Sequence, residues 1–419
     1  MYLVDVGLGK RIMKQVLTNR NLRRLALISL FFGFTEAMYS LRATFLAANG
    51  MNPTQVGVMF SITGILGTVA PLLGGVLADR FFTRYKVFIA SLFGFATVIG
   101  FTPVSATVQI GGLILSMFLL PMMHFFHPML SGMVQTCSIN ATNGLPGVDY
   151  SYLRMFMSLG YVISNVLCTP IMRHFGLNAP YYFVLIFFVG IFVFRKALKE
   201  NETDRTQHGE IDKKNLPFSA IFKNYYVISF IVIAVLYAAA ACCANYTSYM
   251  IAFNRLDTSS VTLVTGLKVV GEVAVMLCFP YFRKHFSLSG LQILSGICLF
   301  LELLLMTHAK TLSQMIFFEM IGGVGNGIAL CSAGHYLRAM TPRGLEATAI
   351  SLWTTGTSLG SILLPLVLGI VIDRSGVVAC FTVGTVMEGI WVVLFIGTLL
   401  FGKYVLKKEN VCPVFLAKR

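Results

Sequence analysis

Ionisable side chains lie within stretches of this sequence that are otherwise apolar enough to span a membrane. They are Glu36, Arg42, His124, His127, Arg154, Lys268, Glu272, Glu302, Glu319, His335 and Glu388. A charged side chain in hydrocarbon costs roughly 2.5–3.5 kcal/mol on insertion scales, so such residues usually line a polar pathway or pair with one another. Carboxylates exchange protons, and an arginine offers a planar fork of donors to hydroxyl groups or anions. The pattern therefore indicates a membrane protein that moves something polar, with the proton as a candidate coupling ion.

The clearest spacing is that of Lys268 and Glu272, which are four residues apart and so share one face of a helix. We expect the two to pair, which would lower the cost of inserting both charges. A glutamate beside a cation is also a candidate proton site, because its protonation depends on that cation and on access to water. We therefore take Glu272 as the first candidate proton carrier, with Glu36 and Glu319 as the next.

A second polar face is formed by Glu36, Tyr39 and Arg42, which follow one another at three-residue steps. Arg42 lies nearer the predicted outer end, where it can either bind substrate or extend to the membrane surface. His124 and His127 are one turn apart, and a metal site would need a third ligand that the sequence does not offer. We expect no metal, and we take His127 as a candidate for substrate or proton binding.

The composition agrees with a membrane protein, since 56% of residues are hydrophobic, 12% are charged and the mean hydropathy is +0.78. A spanning helix needs about 20 mostly apolar residues. Twelve stretches meet that requirement, near 25–48, 54–78, 85–104, 108–136, 152–173, 179–197, 224–252, 259–282, 288–308, 312–337, 345–372 and 377–402. The predicted fold is therefore all-α, with twelve transmembrane helices.

The net charge of +15 is explained by topology and not by a nucleic-acid surface. With the N-terminus placed inside, 25 of the 32 lysines and arginines fall in inner segments and 4 in outer loops. Such a split is typical of cytoplasmic inner loops. We expect a multi-pass protein of the cytoplasmic membrane with both termini inside, whose partners are the lipid bilayer and a small-molecule substrate, with no nucleic acid.

One long polar linker, residues 195–217, separates six predicted spans from the next six. The predicted organisation is an N-terminal half at 1–194, the linker, and a C-terminal half at 218–419. Two six-helix halves with a substrate site between them near the bilayer midplane are typical of transporters.

The loop after the second span, Gly75-Val-Leu-Ala-Asp79-Arg80-Phe-Phe-Thr-Arg84, resembles the signature of the major facilitator superfamily. This sequence departs from the signature at two positions: Phe82 stands where a glycine is usual, and Thr83 stands where a basic residue is usual. The resemblance implies a conformational latch, which we assign to Gly75, Asp79, Arg80 and Arg84. Asp79 would cap a neighbouring helix N-terminus or pair with a basic residue.

The start of the fifth span, from Asp149 to Tyr161, is similar to a segment of the lactose-permease-like and nucleoside-permease-like branch. In the lactose permease the arginine matching Arg154 binds sugar, so the resemblance implies a substrate role for Arg154. The alternative is that Arg154 extends to the inner membrane surface. Near the end of the eleventh span, Gly369 to Gly376 resembles a further segment of this branch, which the topology places outside.

The same resemblance ranks the remaining polar residues. It implies that the tenth helix lines the cavity, which makes Glu319 and His335 candidates for proton coupling. The run Gly322-Gly323-Val-Gly325-Asn326-Gly327 in that helix permits bending or close packing. Asn245 and Tyr249 are candidates for hydrogen bonding to substrate. Glu302 and Glu388 lie on helices that the resemblance makes peripheral, so we interpret both as structural.

The sequence thus favours proton-coupled symport of a sugar, an oligosaccharide or a nucleoside by a monomer without cofactors. Two alternatives stay open, namely a proton-driven exporter of drugs or metabolites and a nutrient receptor that does not transport. An enzyme is not expected, because no set of nucleophile, base and orienting group is found.

Overall fold

The structure is a computed structural model. It describes Val16, Leu145 and the ranges 18–77, 81–111, 113–142, 150–200, 218–342 and 345–407. Within this part, eleven helices are long and apolar enough to cross a membrane, and a shorter apolar stretch covers Ala179–Phe194. The prediction of an all-α membrane protein with about twelve spans is confirmed.

The helices before residue 201 are α1 (Arg20–Glu36), α2 (Met38–Ala48), α3 (Pro53–Val76), α4 (Arg84–Ser105), α5 (Ser116–Thr142), α6 (Tyr150–Phe175), α7 (Ala179–Phe183), α8 (Leu185–Phe194) and α9 (Lys196–Glu200). Those of the second half are α10 (Tyr225–Tyr237), α11 (Ala239–Ala244), α12 (Thr247–Phe253), α13 (Val261–His285), α14 (Leu288–Met306), α15 (Leu312–Met340), α16 (Glu346–Ser375) and α17 (Val377–Tyr404). Two short 3-10 helices cover Phe218–Lys223 and Thr258–Ser260.

The fourth span begins later than predicted. Instead of helix from residue 108, strands β1 (Gln109–Ile110) and β2 (Leu113–Ile114) form an antiparallel hairpin, and helix α5 begins at Ser116. Gly111 has φ of +57°, a conformation that suits a tight hairpin turn and that side chains disfavour. The sequence prediction overlooked this turn because the segment is apolar apart from Gln109.

Other predicted boundaries also change. The seventh span, predicted as one helix over 224–252, is three consecutive helices, α10, α11 and α12. The predicted linker begins with helix α9, in which Ala197 and Leu198 are buried. Residues 201–217 of that linker lie outside the described part of the chain.

The chain divides into two compact units by its internal contacts. The first takes its described residues from Met1–Asn49 and Leu66–Gly209, and the second from Gly50–Ile65 and Glu210–Arg419. In the first unit, α1 packs closely on α6 because Gly33 faces the backbone of Met157 and Gly160 faces that of Leu30. The missing Cβ atoms allow the two backbones to touch, as is common between membrane helices.

In the second unit, α15 packs on α13 and α14. The glycine run of α15 makes these contacts: Gly323 faces the backbone of Lys268, Gly325 that of Ser295 and Gly327 that of Glu272. Helix α15 is continuous from Leu312 to Met340. Of the two predicted roles for these glycines, the structure therefore gives close packing.

The first part of α3, which belongs to the second unit, packs on α16 through a glycine seam formed by Gly57, Gly64 and Gly369. A Cβ atom at Gly57 would lie 2.5 Å from the backbone oxygen of Pro365, and one at Gly64 would lie 2.8 Å from that of Ser361. A Cβ atom at Gly369 would lie 2.5 Å from the backbone oxygen of Pro53.

At the end of this seam, Asp373 caps α3. Its Oδ2 accepts hydrogen bonds from the backbone N–H of Thr54, at 2.9 Å, and from the Thr54 hydroxyl. A carboxylate on the first turn of a helix satisfies free N–H groups there and complements the helix dipole.

Candidate functional site: two buried polar clusters

The first-unit cluster consists of Glu36, Tyr39, Arg42, His124 and His127, carried by α1, α2 and α5. Helix α1 ends at Glu36 and α2 begins at Met38, so the first span is divided where its polar face begins. The two histidines lie one turn apart on α5 and face this point. The predicted polar face and the histidine pair thus form a single cluster.

Two pairs of ionisable side chains join α5 to the first span. His127 Nε2 contacts Glu36 Oε1 directly, and Arg42 Nη1 lies 3.1 Å from His124 Nδ1. A guanidinium has no acceptor, so Arg42 must donate, and a neutral His124 then carries its proton on Nε2. Arg42 Nε also donates to the backbone oxygen of Tyr39 at 3.1 Å.

Arg42 is only 5% exposed, and its guanidinium lies 4.8 Å from the centre of the Tyr39 ring. The alternative that Arg42 extends to the membrane surface is therefore wrong. His127 stacks on Phe32 with ring centres 5.1 Å apart. The cluster holds one permanent cation, one carboxylate and two imidazoles against aromatic rings.

A short chain of hydrogen bonds joins α2 and α6 in the same unit. The Ser40 hydroxyl donates to Asn165 Oδ1 at 2.8 Å and lies 3.0 Å from the Tyr161 hydroxyl. Arg154 is half-buried and lies two turns before Tyr161 on α6, so both share one helix face, about 10 Å apart along the axis.

The second-unit cluster consists of Lys268 on α13, Glu302 on α14, Glu319 on α15 and Thr247 on α12. The Lys268 ammonium contacts Glu302 Oε1 and lies 2.8 Å from Glu319 Oε2. The Thr247 hydroxyl donates to Glu319 Oε1 at 3.0 Å. Glu302 and Glu319 are 2% and 1% exposed, so two carboxyl groups share one ammonium in the apolar interior of the unit.

These contacts change the prediction for Lys268. Its ion pairs are with Glu302 and Glu319 on two neighbouring helices, whereas Glu272, the partner predicted from spacing, accepts a hydrogen bond from Asn326 Nδ2 at 3.3 Å. Glu302, which the sequence predicts to be peripheral and structural, is a direct partner of Lys268. A lysine faces several helices in a bundle, so spacing on its own helix does not decide its partner.

Glu388 on α17 is fully buried, and neither of its carboxyl oxygens has a hydrogen-bond partner among the described residues. A bare carboxylate there would carry a large desolvation cost, so the group fits its surroundings best as a neutral acid. The burial of Glu388 agrees with the structural role expected from the sequence, and it gives no evidence for or against a functional role.

Three other candidates lie apart from the clusters. His335 stacks on Phe279, with ring centres 6.0 Å apart, and its distance from Glu319 on the continuous helix α15 is about 24 Å along the axis. Asn245 ends α11 through its backbone N–H, which donates to Cys242. The Tyr249 hydroxyl is buried and has no hydrogen-bond partner among the described residues.

Most of the predicted conformational latch lies outside the residues that the structure describes. Asp79 and Arg80 are outside the described residues, and so are the side chain of Arg84 and the surroundings of Gly75. Among the described residues, no group of three histidine, cysteine or acidic side chains is placed to hold a metal ion.

The chain is similar to one protein family and to solved structures of transporters. The MFS_1 like family matches residues 24–383. A mutant of the nucleoside transporter NupG has a similar structure, with a TM-score of 0.75 and 17% identity, covering 91% of this chain and 99% of that one. An auto-inhibited peptide transporter of the POT family has a TM-score of 0.70 and 11% identity, covering 94% and 99%. No curated protein sequence matches the chain.

Proposed function

The chain belongs to the MFS_1 like family, and on that premise we propose proton-coupled symport of a small polar organic solute by alternating access. The family and the similar structures make the chain a multi-pass membrane transporter and not an enzyme. Our proposal concerns the coupling ion, the direction of transport and the solute class.

The observation that supports coupling is the second-unit cluster. A transporter that used no ion gradient would have little need to place a lysine and two glutamates in the apolar interior, since each charge has to be desolvated there. Carboxyl groups in such a place exchange protons when their access to water changes. Such exchange is the step that links a proton gradient to a transport cycle.

The first-unit cluster supports a class of solute. Arg42 and the histidines supply hydrogen-bond donors and acceptors beside the Tyr39 ring, and Ser40 and Tyr161 supply hydroxyl groups nearby. This set suits a solute that is rich in hydroxyl groups and carries a ring. We propose a sugar, an oligosaccharide or a nucleoside, and the structural similarity to the nucleoside transporter NupG supports the last of these.

The experiment is uptake by proteoliposomes that contain the purified full chain. Labelled lactose, uridine and dialanine are offered with an inward proton gradient, with no gradient, and with a gradient collapsed by a protonophore. We expect accumulation of lactose or uridine only in the first condition. Accumulation of dialanine alone would show that the proposed solute class is wrong. Uptake that does not depend on the gradient would contradict proton coupling.

The exporter alternative is tested with the same vesicles. An exporter of amphipathic compounds would expel a loaded aromatic cation when protons move in the opposite direction, and would not accumulate lactose or uridine. That outcome would contradict symport.

A further inference from the structure

The charges of the second-unit cluster do not balance when both carboxyl groups are ionised. One ammonium, Lys268, faces two carboxyl groups, Glu302 and Glu319, and all three groups are at least four-fifths buried. A net negative charge there would cost several kcal/mol, because the apolar interior does not hydrate it. A single added proton makes the cluster neutral.

The hydrogen bonds indicate which carboxyl group takes that proton. Glu319 has two donor groups beside it, since Oε1 accepts a hydrogen bond from the Thr247 hydroxyl at 3.0 Å and Oε2 lies 2.8 Å from the Lys268 ammonium. The second contact is an ion pair without hydrogen-bond geometry. Glu302 Oε1 faces Lys268, but Oε2 is buried and has no hydrogen-bond donor among the described residues. Donor groups stabilise the ionised form of a carboxyl group over the protonated form, and Glu319 has one donor more than Glu302. Glu319 therefore suits the ionised form and Glu302 the protonated form.

The other titratable groups near Glu302 favour the same assignment. They are Glu388 on α17, Tyr237 on α10 and Cys243 on α11, besides Cys298 on α14 itself. None of them brings a cation, so Lys268 is the only cation among the described groups that face Glu302. An ionised Glu302, beside an ionised Glu319, would therefore be disfavoured, because the remaining neighbours add no positive charge.

We propose that the Lys268–Glu302–Glu319 cluster holds one exchangeable proton on Glu302 and is the proton-binding site of the transporter. The binding of the proton stands on its own, and its use in transport rests on the proposed function. When water reaches the cluster, the O–H bond of Glu302 breaks and the proton passes to water, leaving a hydrated carboxylate. When the cluster is dry again, Glu302 must first recover a proton. Because the two carboxyl groups are coupled, the titration belongs to the pair.

The first experiment needs no substrate. Infrared difference spectra of the purified full chain are recorded as the pH is raised, and the C=O band of protonated carboxylic acids is followed. Glu388→Gln serves as the background, because it removes the other buried acid. We expect one titrating band in that background and its loss on adding Glu302→Gln. Glu319→Gln, which also leaves one carboxylate and one ammonium, should lose the band as well, so either variant suffices if the other does not fold. A band that persists unchanged in both would overturn the proposal.

The second experiment uses the proteoliposomes and whichever panel solute the unmodified chain accumulates. Glu302→Gln should exchange labelled for unlabelled solute but should no longer accumulate it from a proton gradient. Glu388→Gln is the matched control, since it removes a fully buried carboxyl group that has no hydrogen-bond partner among the described residues, and it should keep accumulation. Glu272→Gln is measured beside it, because the sequence makes Glu272 the first candidate proton carrier. Normal accumulation by Glu302→Gln, or its loss only in Glu272→Gln, would contradict the site. Failure of the unmodified chain to transport any solute would instead contradict the proposed function, and the infrared result would still decide whether the cluster holds a proton.

Discussion

Gly322 lies against the carboxyl group of Glu302 so closely that a Cβ atom at position 322 would overlap it. Glu302 is on α14 and Gly322 on α15, and the bare backbone of α15 leaves the space that the carboxyl group occupies beside Lys268. The contact explains why a glycine stands in the middle of a membrane helix, where it lowers helix propensity.

Gly322→Ala should therefore displace Glu302 and destabilise the chain. Overpacking of a well-packed interior costs about 1–3 kcal/mol, which outweighs the gain in helix propensity from alanine. Gly334→Ala in the same helix is the matched control, since the nearest atom would be 4.0 Å from its Cβ. We expect thermal unfolding in detergent to occur at a lower temperature for Gly322→Ala only. Equal melting temperatures for both variants would show that α15 shifts freely.

Gly160→Ala should weaken the packing of α1 on α6. Its Cβ would collide with the backbone oxygen of Leu30, and a backbone atom cannot move aside as a side chain can. We expect a destabilisation of about 1–3 kcal/mol, measured by thermal unfolding. Gly132→Ala, whose Cβ would meet no atom within 4 Å, should change stability little. A stable Gly160→Ala variant would contradict the described α1–α6 contact.

Arg42→Lys should reduce solute binding while leaving the charge unchanged. An ammonium cannot reach His124 and the Tyr39 backbone together in the geometry of the guanidinium fork. Loss of one charge-assisted hydrogen bond, about 1.5–3 kcal/mol, corresponds to roughly a tenfold to hundredfold weaker binding. Equilibrium binding of the accumulated panel solute measures the effect. Arg173→Lys, at an exposed position on α6, is the control. Unchanged affinity in Arg42→Lys would make the cluster structural.

Arg154→Lys tests the role implied by the permease-like segment. Substrate recognition through a planar fork predicts weaker binding at unchanged expression, because an ammonium donates from a single point. The measurement is again equilibrium binding of the panel solute to the purified variant. Near-normal affinity would assign Arg154 to the membrane surface instead.

The orientation is tested by cysteine labelling in a background without the nine native cysteines. Thr206→Cys, in the predicted cytoplasmic linker, should resist an impermeant thiol reagent applied to intact cells. Lys310→Cys, in the exposed loop before α15, should react readily. The reverse pattern would place both termini outside.

The sequence predicted the apolar spans well because their signal is local: about 20 consecutive apolar residues suffice. Breaks within a span were missed. The hairpin at residues 109–114 depends on the backbone conformation of Gly111, and the division of the seventh span leaves the apolar composition unchanged. Hydropathy does not distinguish a broken helix from a straight one.

The polar residues were recognised one by one, but only part of their pairing could be predicted. Glu36, Tyr39 and Arg42 were placed on one face because helical periodicity fixes that relation. The partners of Lys268 lie on other helices, and their choice depends on the close approach that Gly322 and Gly323 permit. A signal for Glu302 was present, since an ionisable group in a membrane helix with no opposite charge one turn away either pairs with another helix, as Glu302 does, or suits the neutral form, as Glu388 does.

The glycine seam between α3 and α16 consists largely of backbone meeting backbone, at Gly57, Gly64 and Gly369. Few side chains take part, with Tyr246 beside Gly57 and Ile362 beside Gly64, so the fit of the two helices depends mainly on the positions of backbone atoms. The cap of Thr54 by Asp373 fixes where along α16 helix α3 begins. The relative position of the two helices is therefore set by the shape of their backbones together with one carboxylate.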